Sequence, residues 1–136
     1  MLAPRVSTWE STPCNAPQVR KRIDQGLPYE EFEGLRQDLG VSAERLANAI
    51  GIHPRTLQRR RKDGRFDFVE SDRLFRFQDL FCRAAEALED RSAAASWLGR
   101  TSGRFGDLAP LEYASAEPGY QELLQVIEGI ADDSFG

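Results

Sequence analysis

Apolar residues in the first half of the chain recur three or four positions apart, which is the spacing of one helix face. Phe32, Leu35 and Leu39 follow this rule, and Gly40 comes next as a helix C-cap. Pro28 suits the first turn of a helix because its missing N–H would be unpaired there. The pattern therefore predicts a helix that begins near Pro28 and ends at Gly40.

Two short helices, separated by a tight turn, are predicted next. Ser42 is a favourable N-cap residue, and Gly51 ends the first of these helices. Pro54 begins the second helix, which runs through residues 55–62 and stops at Gly64. The apolar face of the first helix is formed by Leu46, Ala47 and Ile50.

Helical spacing continues through the second half of the chain. A longer helix is predicted to begin at Ser71 and a short one to span residues 93–98. One or two helical turns are predicted for residues 110–114, and a last helix for residues 118–129. No stretch alternates apolar and polar residues as a half-buried strand does, so the predicted fold class is all-α.

Two short helices joined by a glycine-containing turn form the plan of a helix-turn-helix. Leu46 and Ala47 lie where the two helices must approach closely, and Gly51 takes a turn in which a positive φ costs glycine nothing. Ile52 and Leu57 are expected to fill the small core between the helices. Five positions thus agree with this motif.

Two polar residues of the motif are expected to have structural roles. Arg60 stands where such motifs usually bury an apolar side chain, so we expect it to fold over the edge of the core and pair with Glu70 or Asp72. His53, the only histidine, has no metal-ligating residue at a suitable spacing and is expected to cap the second helix.

Charge is distributed unevenly, although the net charge is only −4. Residues 55–65 hold six basic residues and one acid, whereas residues 105–136 hold seven acids and no lysine or arginine. Such asymmetry indicates two partners, one of which is DNA; a solvated surface is the alternative for each region. The side chains expected to contact base edges in the major groove are Arg55, Thr56, Gln58 and Arg59. The side chains expected to hold phosphates are Arg61, Lys62 and Arg65.

Other chemistries lack the residues that they need. Cys14 and Cys82 are isolated and the first residues form no apolar secretion segment, so a reduced, cytoplasmic protein is expected. No apolar run approaches the ~18 residues of a membrane span. No nucleophilic triad, phosphate loop or metal-ligand cluster is found, so no catalysis, cofactor or metal is expected.

One block of sequence is more specific than a general helix-turn-helix. Thr56-Leu57-Gln58-Arg59-Arg60, followed by Glu70-Ser71-Asp72-Arg73-Leu74-Phe75-Arg76, resembles the Xre/MbcA/ParS family of antitoxins, the partners of RES-domain toxins. The resemblance continues through Trp97-Leu98, Phe105-Gly106 and Pro110-Leu111 to Ile127-Glu128-Gly129-Ile130. The family often has a Gly-Gly pair before the Pro-Leu turn, where this chain has only Gly106.

The resemblance implies a homodimer that neutralises a RES-type, NAD-degrading toxin and binds duplex operator DNA to repress its own operon. It also implies a helix-turn-helix domain (19–80) and a small helical toxin-binding domain (81–136). Residues 1–18 are rich in proline, serine and threonine and lack helical periodicity, so they are expected to form a flexible arm. The alternative is a stand-alone transcriptional repressor whose C-terminal half only dimerises.

The acidic end of the chain is the expected site of toxin binding. A cleft that binds NAD is expected to be basic, and an acidic segment fits it as a substrate mimic; a frayed acidic end is the other interpretation. The residues expected at the toxin interface are Tyr120, Leu124, Ile127, Ile130, Asp132, Asp133 and Ser134.

Overall fold

The computed structural model describes the backbone of residues 16–135 and the side chains of residues 17–130. This part of the chain holds eight α-helices, one short 3-10 helix (Gly103–Phe105) and no β-strand, so the all-α prediction is confirmed. In chain order the helices are α1 (Ala16–Gln25), α2 (Tyr29–Leu39), α3 (Ala43–Ile50), α4 (Pro54–Asp63), α5 (Phe68–Leu88), α6 (Arg91–Gly99), α7 (Pro110–Tyr113) and α8 (Glu117–Phe135).

Helices α2, α3 and α4 have the limits that their capping residues predict. Gly40, Gly51 and Gly64 follow them as left-handed C-caps, with φ of 69°, 87° and 85°. The Ser42 hydroxyl accepts a hydrogen bond from the backbone N–H of Arg45 at the start of α3. Local capping chemistry is therefore sufficient to delimit this part of the fold.

Two helices differ from the sequence prediction near the start and centre of the chain. Residues 16–18, expected in the flexible arm, belong to α1, and residues 1–15 lie outside the described residues. Helix α5 begins at Phe68 rather than at Ser71, because Asp67 and Glu70 form a capping box. The Asp67 carboxylate accepts from the Glu70 N–H at 2.8 Å, and Glu70 accepts from the Asp67 N–H at 2.9 Å.

The last helix is longer than predicted. Gly129 was expected to end it, but α8 continues to Phe135, and so residues 130–135 are helical. A single glycine in a helix costs only ~1 kcal/mol relative to alanine, which is too little to stop a helix that packs on its neighbours. The predicted end at Gly129 is therefore wrong.

Helix α5 lies at the centre of one continuous hydrophobic core. Its side chains pack with α1, α3, α6 and α8, and the core extends in sequence from Leu27 to Ile127. Leu74 and Phe77 precede the expected domain boundary between residues 80 and 81, and Phe81 follows it. The expected boundary thus falls inside a continuous helix, and the two predicted domains share a core.

The loop between α4 and α5 is fastened to the loop before α2. The Phe66 N–H donates to the Leu27 carbonyl at 3.0 Å, and the Leu27 N–H donates to Ser71 Oγ at 2.8 Å. A β-carbon on Gly26 would lie 2.4 Å from the Phe66 carbonyl oxygen, so only glycine allows this approach. These contacts hold the loop that follows α4 against the loop that precedes α2.

Candidate nucleic-acid interface

Helices α3 and α4 pack as the two helices of a helix-turn-helix. Leu46 and Ala47 are fully buried, and Ile52 and Leu57 are 4% and 9% exposed. Gly51 supplies the left-handed turn between the helices. The five positions that predicted the motif therefore have the burial and backbone conformation that it requires.

The start of α4 is capped by the histidine. His53 Nδ1 accepts a hydrogen bond from the Arg55 backbone N–H at 3.1 Å, and Pro54 follows in the first turn. The prediction that His53 caps this helix is confirmed. Its ring has a structural partner and holds the N-terminal end of α4 in a defined position.

The outward face of α4 is basic and open to solvent. Arg55, Gln58 and Arg59 are exposed, Thr56 is half-buried, and Arg61 and Lys62 are exposed near the other end of the helix. Arg65, expected to hold a phosphate, lies in the following loop, where Nη1 donates to the Gly26 carbonyl at 2.7 Å. Six of the seven expected DNA contacts are therefore on one helix, and the seventh has a structural hydrogen bond.

Arg60 is held in the way that its position in the motif predicts. Its Nε donates to Glu70 Oε1 at 2.7 Å, and Asp63 and Asp67 lie 3.4 Å from its terminal nitrogens. The hydrogen bond to Glu70 raises the pKa of Arg60. The partner is Glu70 and not Asp72, because Asp72 pairs with Arg76 at 2.8 Å.

Ion pairing separates two groups of arginines in the described residues. Most arginines outside α4 pair with a carboxylate: Arg20, Arg22, Arg36, Arg45, Arg76, Arg83 and Arg91. On α4, Arg55, Arg59, Arg61 and Lys62 make no side-chain hydrogen bond or ion pair within the described part of the chain. Lys21, Arg73 and Arg104 also lack one there. The unpaired cations are thus concentrated on the exposed face of α4.

The expected toxin-binding residues divide by burial. Tyr120 and Ile127 are 8% and 4% exposed and belong to the core, whereas Leu124 and Ile130 are half-buried. In the described chain Tyr120 and Ile127 are therefore core residues rather than surface residues. Asp132, Asp133 and Ser134 lie on the helical backbone of the last turns of α8, beyond the described side chains.

An ion pair between α3 and α7, which was not predicted from the sequence, joins the helix-turn-helix to the second half of the chain. Arg45, on α3, donates from Nε and Nη2 to the two oxygens of Glu112 on α7, at 2.9 and 2.7 Å. Nη2 also donates to the carbonyl of Gly99 at 2.9 Å. The two residues are 67 positions apart in the sequence, and no local sequence pattern predicts such an ion pair.

Metal-ligand clusters and membrane-spanning helices are both absent from the described residues. No group of three or more histidine, cysteine, aspartate or glutamate residues there is arranged to hold a metal ion. No helix there is long and apolar enough to cross a membrane.

The geometry is that of a helix-turn-helix whose second helix presents an unpaired basic face. Residues 18–79 match the family model of the antitoxin Xre-like helix-turn-helix domain. This range covers most of α1, all of α2 to α4 and the first half of α5, which is a little less than half of the chain. The match supports the predicted Xre-type antitoxin with a DNA-binding helix-turn-helix. Comparison with curated proteins gave no match.

Proposed function

We propose that this protein is the antitoxin of a RES-type, NAD-degrading toxin, and that as a homodimer in the cytoplasm it also binds the operator of its own operon. The observation that carries the DNA half is the unpaired basic face of α4. Arg59 and Arg60 are neighbours in the sequence, yet only Arg60 forms ion pairs with carboxylates among the described residues. Guanidinium groups without an internal partner remain available for bases and phosphates.

DNA binding is tested by titrating the protein with a duplex from the region upstream of its own gene at several salt concentrations. Neutralised phosphates release counterions, so log K should fall with log salt at a slope of about −0.9 per contact. Absence of binding at low salt would contradict the DNA half of the proposal.

The orientation of α4 is tested by comparing base-contacting with phosphate-contacting residues. Arg55→Ala and Arg59→Ala should reduce the preference for operator over scrambled DNA, since a base contact discriminates by about 1–3 kcal/mol. Lys62→Ala should weaken both duplexes by the same factor. If only Lys62→Ala changed the preference for operator over scrambled DNA, the proposed orientation of α4 in the major groove would be wrong.

Toxin binding is assigned to the acidic end of α8. The C-terminal end of a helix carries a partial negative charge, which basic residues in the last turn normally offset. Here the last turn contains no basic residue, and Asp132 and Asp133 add charge of the same sign. A basic cleft in the partner would remove this repulsion, which supports the proposal that the end of α8 enters the NAD site.

The test is NAD turnover by the toxin encoded beside this protein. Deleting residues 131–136, or changing Asp132→Asn/Asp133→Asn, should weaken inhibition and leave the melting temperature nearly unchanged. Glu86→Gln/Glu89→Gln is the matched control, because it removes the same charge from exposed residues at the C-terminal end of another helix, α5, that make no side-chain hydrogen bond or ion pair among the described residues. Full inhibition by the truncated protein would move the toxin site away from the end of α8. A neighbouring protein without NAD-degrading activity would favour a stand-alone repressor.

A further inference from the structure

Arg73, on α5, lies against the turn of the helix-turn-helix. A β-carbon placed on Gly51 would come within 2.9 Å of Arg73 Nη1 and 3.8 Å of its Cζ. The absence of a side chain at Gly51 therefore makes room for this guanidinium as well as allowing the turn. Arg73 itself is exposed. It presents its head group at the surface next to the three-residue connection between α3 and α4.

Arg73 differs from the other arginines of α5. Arg76 pairs with Asp72 at 2.8 Å and with Glu117 at 2.9 Å, and Arg83 pairs with Asp79 at 2.9 Å. Arg73 makes no side-chain hydrogen bond or ion pair among the described residues. It is therefore an unpaired cation of the same kind as those of α4, placed by a different helix.

We propose that Arg73 contacts a DNA phosphate and that the DNA interface extends from α4 across the Gly51 turn onto α5. This inference rests on the proposed DNA binding. A guanidinium donates through two parallel N–H groups to a phosphate, and an arginine outside the recognition helix is suited to positioning rather than to base selection. The sequence predicted DNA contacts only within residues 55–65. Arg73 was not among them, because it comes next to Gly51 only when α5 packs against α3 in the folded chain.

The experiment measures the dissociation constant of the full-length protein for operator and scrambled duplexes across a salt series. Arg73→Gln should weaken both duplexes by the same factor and reduce the slope of log K against log salt by about 0.9. Arg73→Lys should keep the slope because it keeps the charge. Arg83→Gln is the control: it changes the net charge equally on the same helix, but at a paired arginine, and should leave the slope unchanged.

Several results would overturn the inference. An equal fall in slope for Arg73→Gln and Arg83→Gln would show a general effect of net charge. Weaker binding with an unchanged slope would show that Arg73 only shapes the turn. Loss of toxin inhibition with normal DNA binding would assign Arg73 to the protein partner. An unchanged Arg73→Gln slope with normal wild-type binding overturns this inference alone, whereas failure of the wild-type protein to bind DNA overturns the proposed function with it.

Discussion

Arg59 and Arg60 show how neighbouring residues of one type acquire different tasks. Arg60 is 19% exposed and hydrogen-bonded to Glu70, while Arg59 extends into solvent without a partner in the described chain. We predict that Arg60→Ala lowers the free energy of unfolding by about 1–2 kcal/mol, because a charged hydrogen bond is lost where solvent only partly compensates. Arg59→Ala should change it by less than about 0.5 kcal/mol, as at other exposed sites.

Urea denaturation of the two variants checks this pair of values. Arg59→Ala should lose preference for operator DNA while its midpoint stays that of the wild type. Equal stability of the two variants would mean that the Arg60–Glu70 contact contributes nothing to the fold. Glu70→Gln would change two contacts at once, the ion pair with Arg60 and the capping box of α5, so Arg60→Ala is the cleaner test of the ion pair.

Tyr120 gives the fold a dependence on alkaline pH. Burial, together with the nearby carboxylate of Asp79, raises the pKa of Tyr120 to about 12. An unfolded tyrosine ionises at about pH 10, so the neutral phenol stabilises the fold below that pH, and this contribution is lost between about pH 10 and 12. We predict that the free energy of unfolding falls as the pH rises over this range, and that the fall is less steep in Tyr120→Phe.

Denaturation midpoints at pH 9, 10 and 11 for both proteins provide the measurement. Tyr29 and Tyr113 also have raised pKa values, the first through burial and the second through its hydrogen bond to Glu122. Part of the fall should therefore remain in Tyr120→Phe. An identical pH profile for the two proteins would show that Tyr120 titrates alike in the folded and unfolded chain.

The limits of each helix depend on its first and last residues, and here the prediction from sequence was uneven. Glycine and serine caps delimit α2, α3 and α4 correctly, because those signals act within a few residues. The start of α5 was predicted three residues late, although Asp67 and Glu70 have capping-box spacing in the sequence. The ends of α1 and α8 have weaker local signals, and packing against α5 supports both helices.

Asp67 is the residue through which the start of α5 can be tested. Its side chain accepts from the Glu70 N–H, and removing such a cap costs about 0.5–2 kcal/mol. We predict that Asp67→Ala lowers the free energy of unfolding by about 1 kcal/mol, and that Asp67→Asn or Asp67→Ser restores most of the loss. Urea denaturation measures the three values. Equal losses for alanine and asparagine would show that charge, through Arg60, matters more than the cap.

Over the whole molecule, the division into two domains stays a prediction, because α5 and the core continue across the expected boundary at residue 80. The amphipathic pattern of α5 shows that its apolar face is buried, but not which helices cover it. Arg45 with Glu112, and Arg91 with Asp38, join helices distant in sequence. The sequence also did not predict which residues of α8 are buried. Tyr120 and Leu124 lie about one helical turn apart, yet only Tyr120 is in the core. Tertiary packing, rather than local spacing, decides these features.

Because the core is shared, we expect that a fragment containing only the helix-turn-helix half of the chain cannot form a complete core. A fragment of residues 16–79 ends in the middle of α5 and removes Leu80, Phe81 and Ala84, which are almost fully buried in the whole chain. It also removes Glu112, leaving the guanidinium of Arg45 without its carboxylate. We predict that this fragment neither unfolds cooperatively nor binds operator DNA, because the surface that supports α3 and α4 is incomplete.

Urea denaturation, followed by far-ultraviolet and near-ultraviolet circular dichroism, tests this prediction, because the 16–79 fragment keeps Tyr29 and several phenylalanines but contains neither tryptophan. The control is a chain of residues 16–130, which keeps the core from Leu27 to Ile127 and should give one transition that coincides in both measurements. DNA titration of both chains then separates loss of fold from loss of contacts, since the basic face of α4 is present in each. Cooperative unfolding and normal DNA affinity of the 16–79 fragment would show that the helix-turn-helix is an independent domain after all. The ion pair of Arg45 would then join two separately stable units, and the boundary expected near residue 80 would be correct.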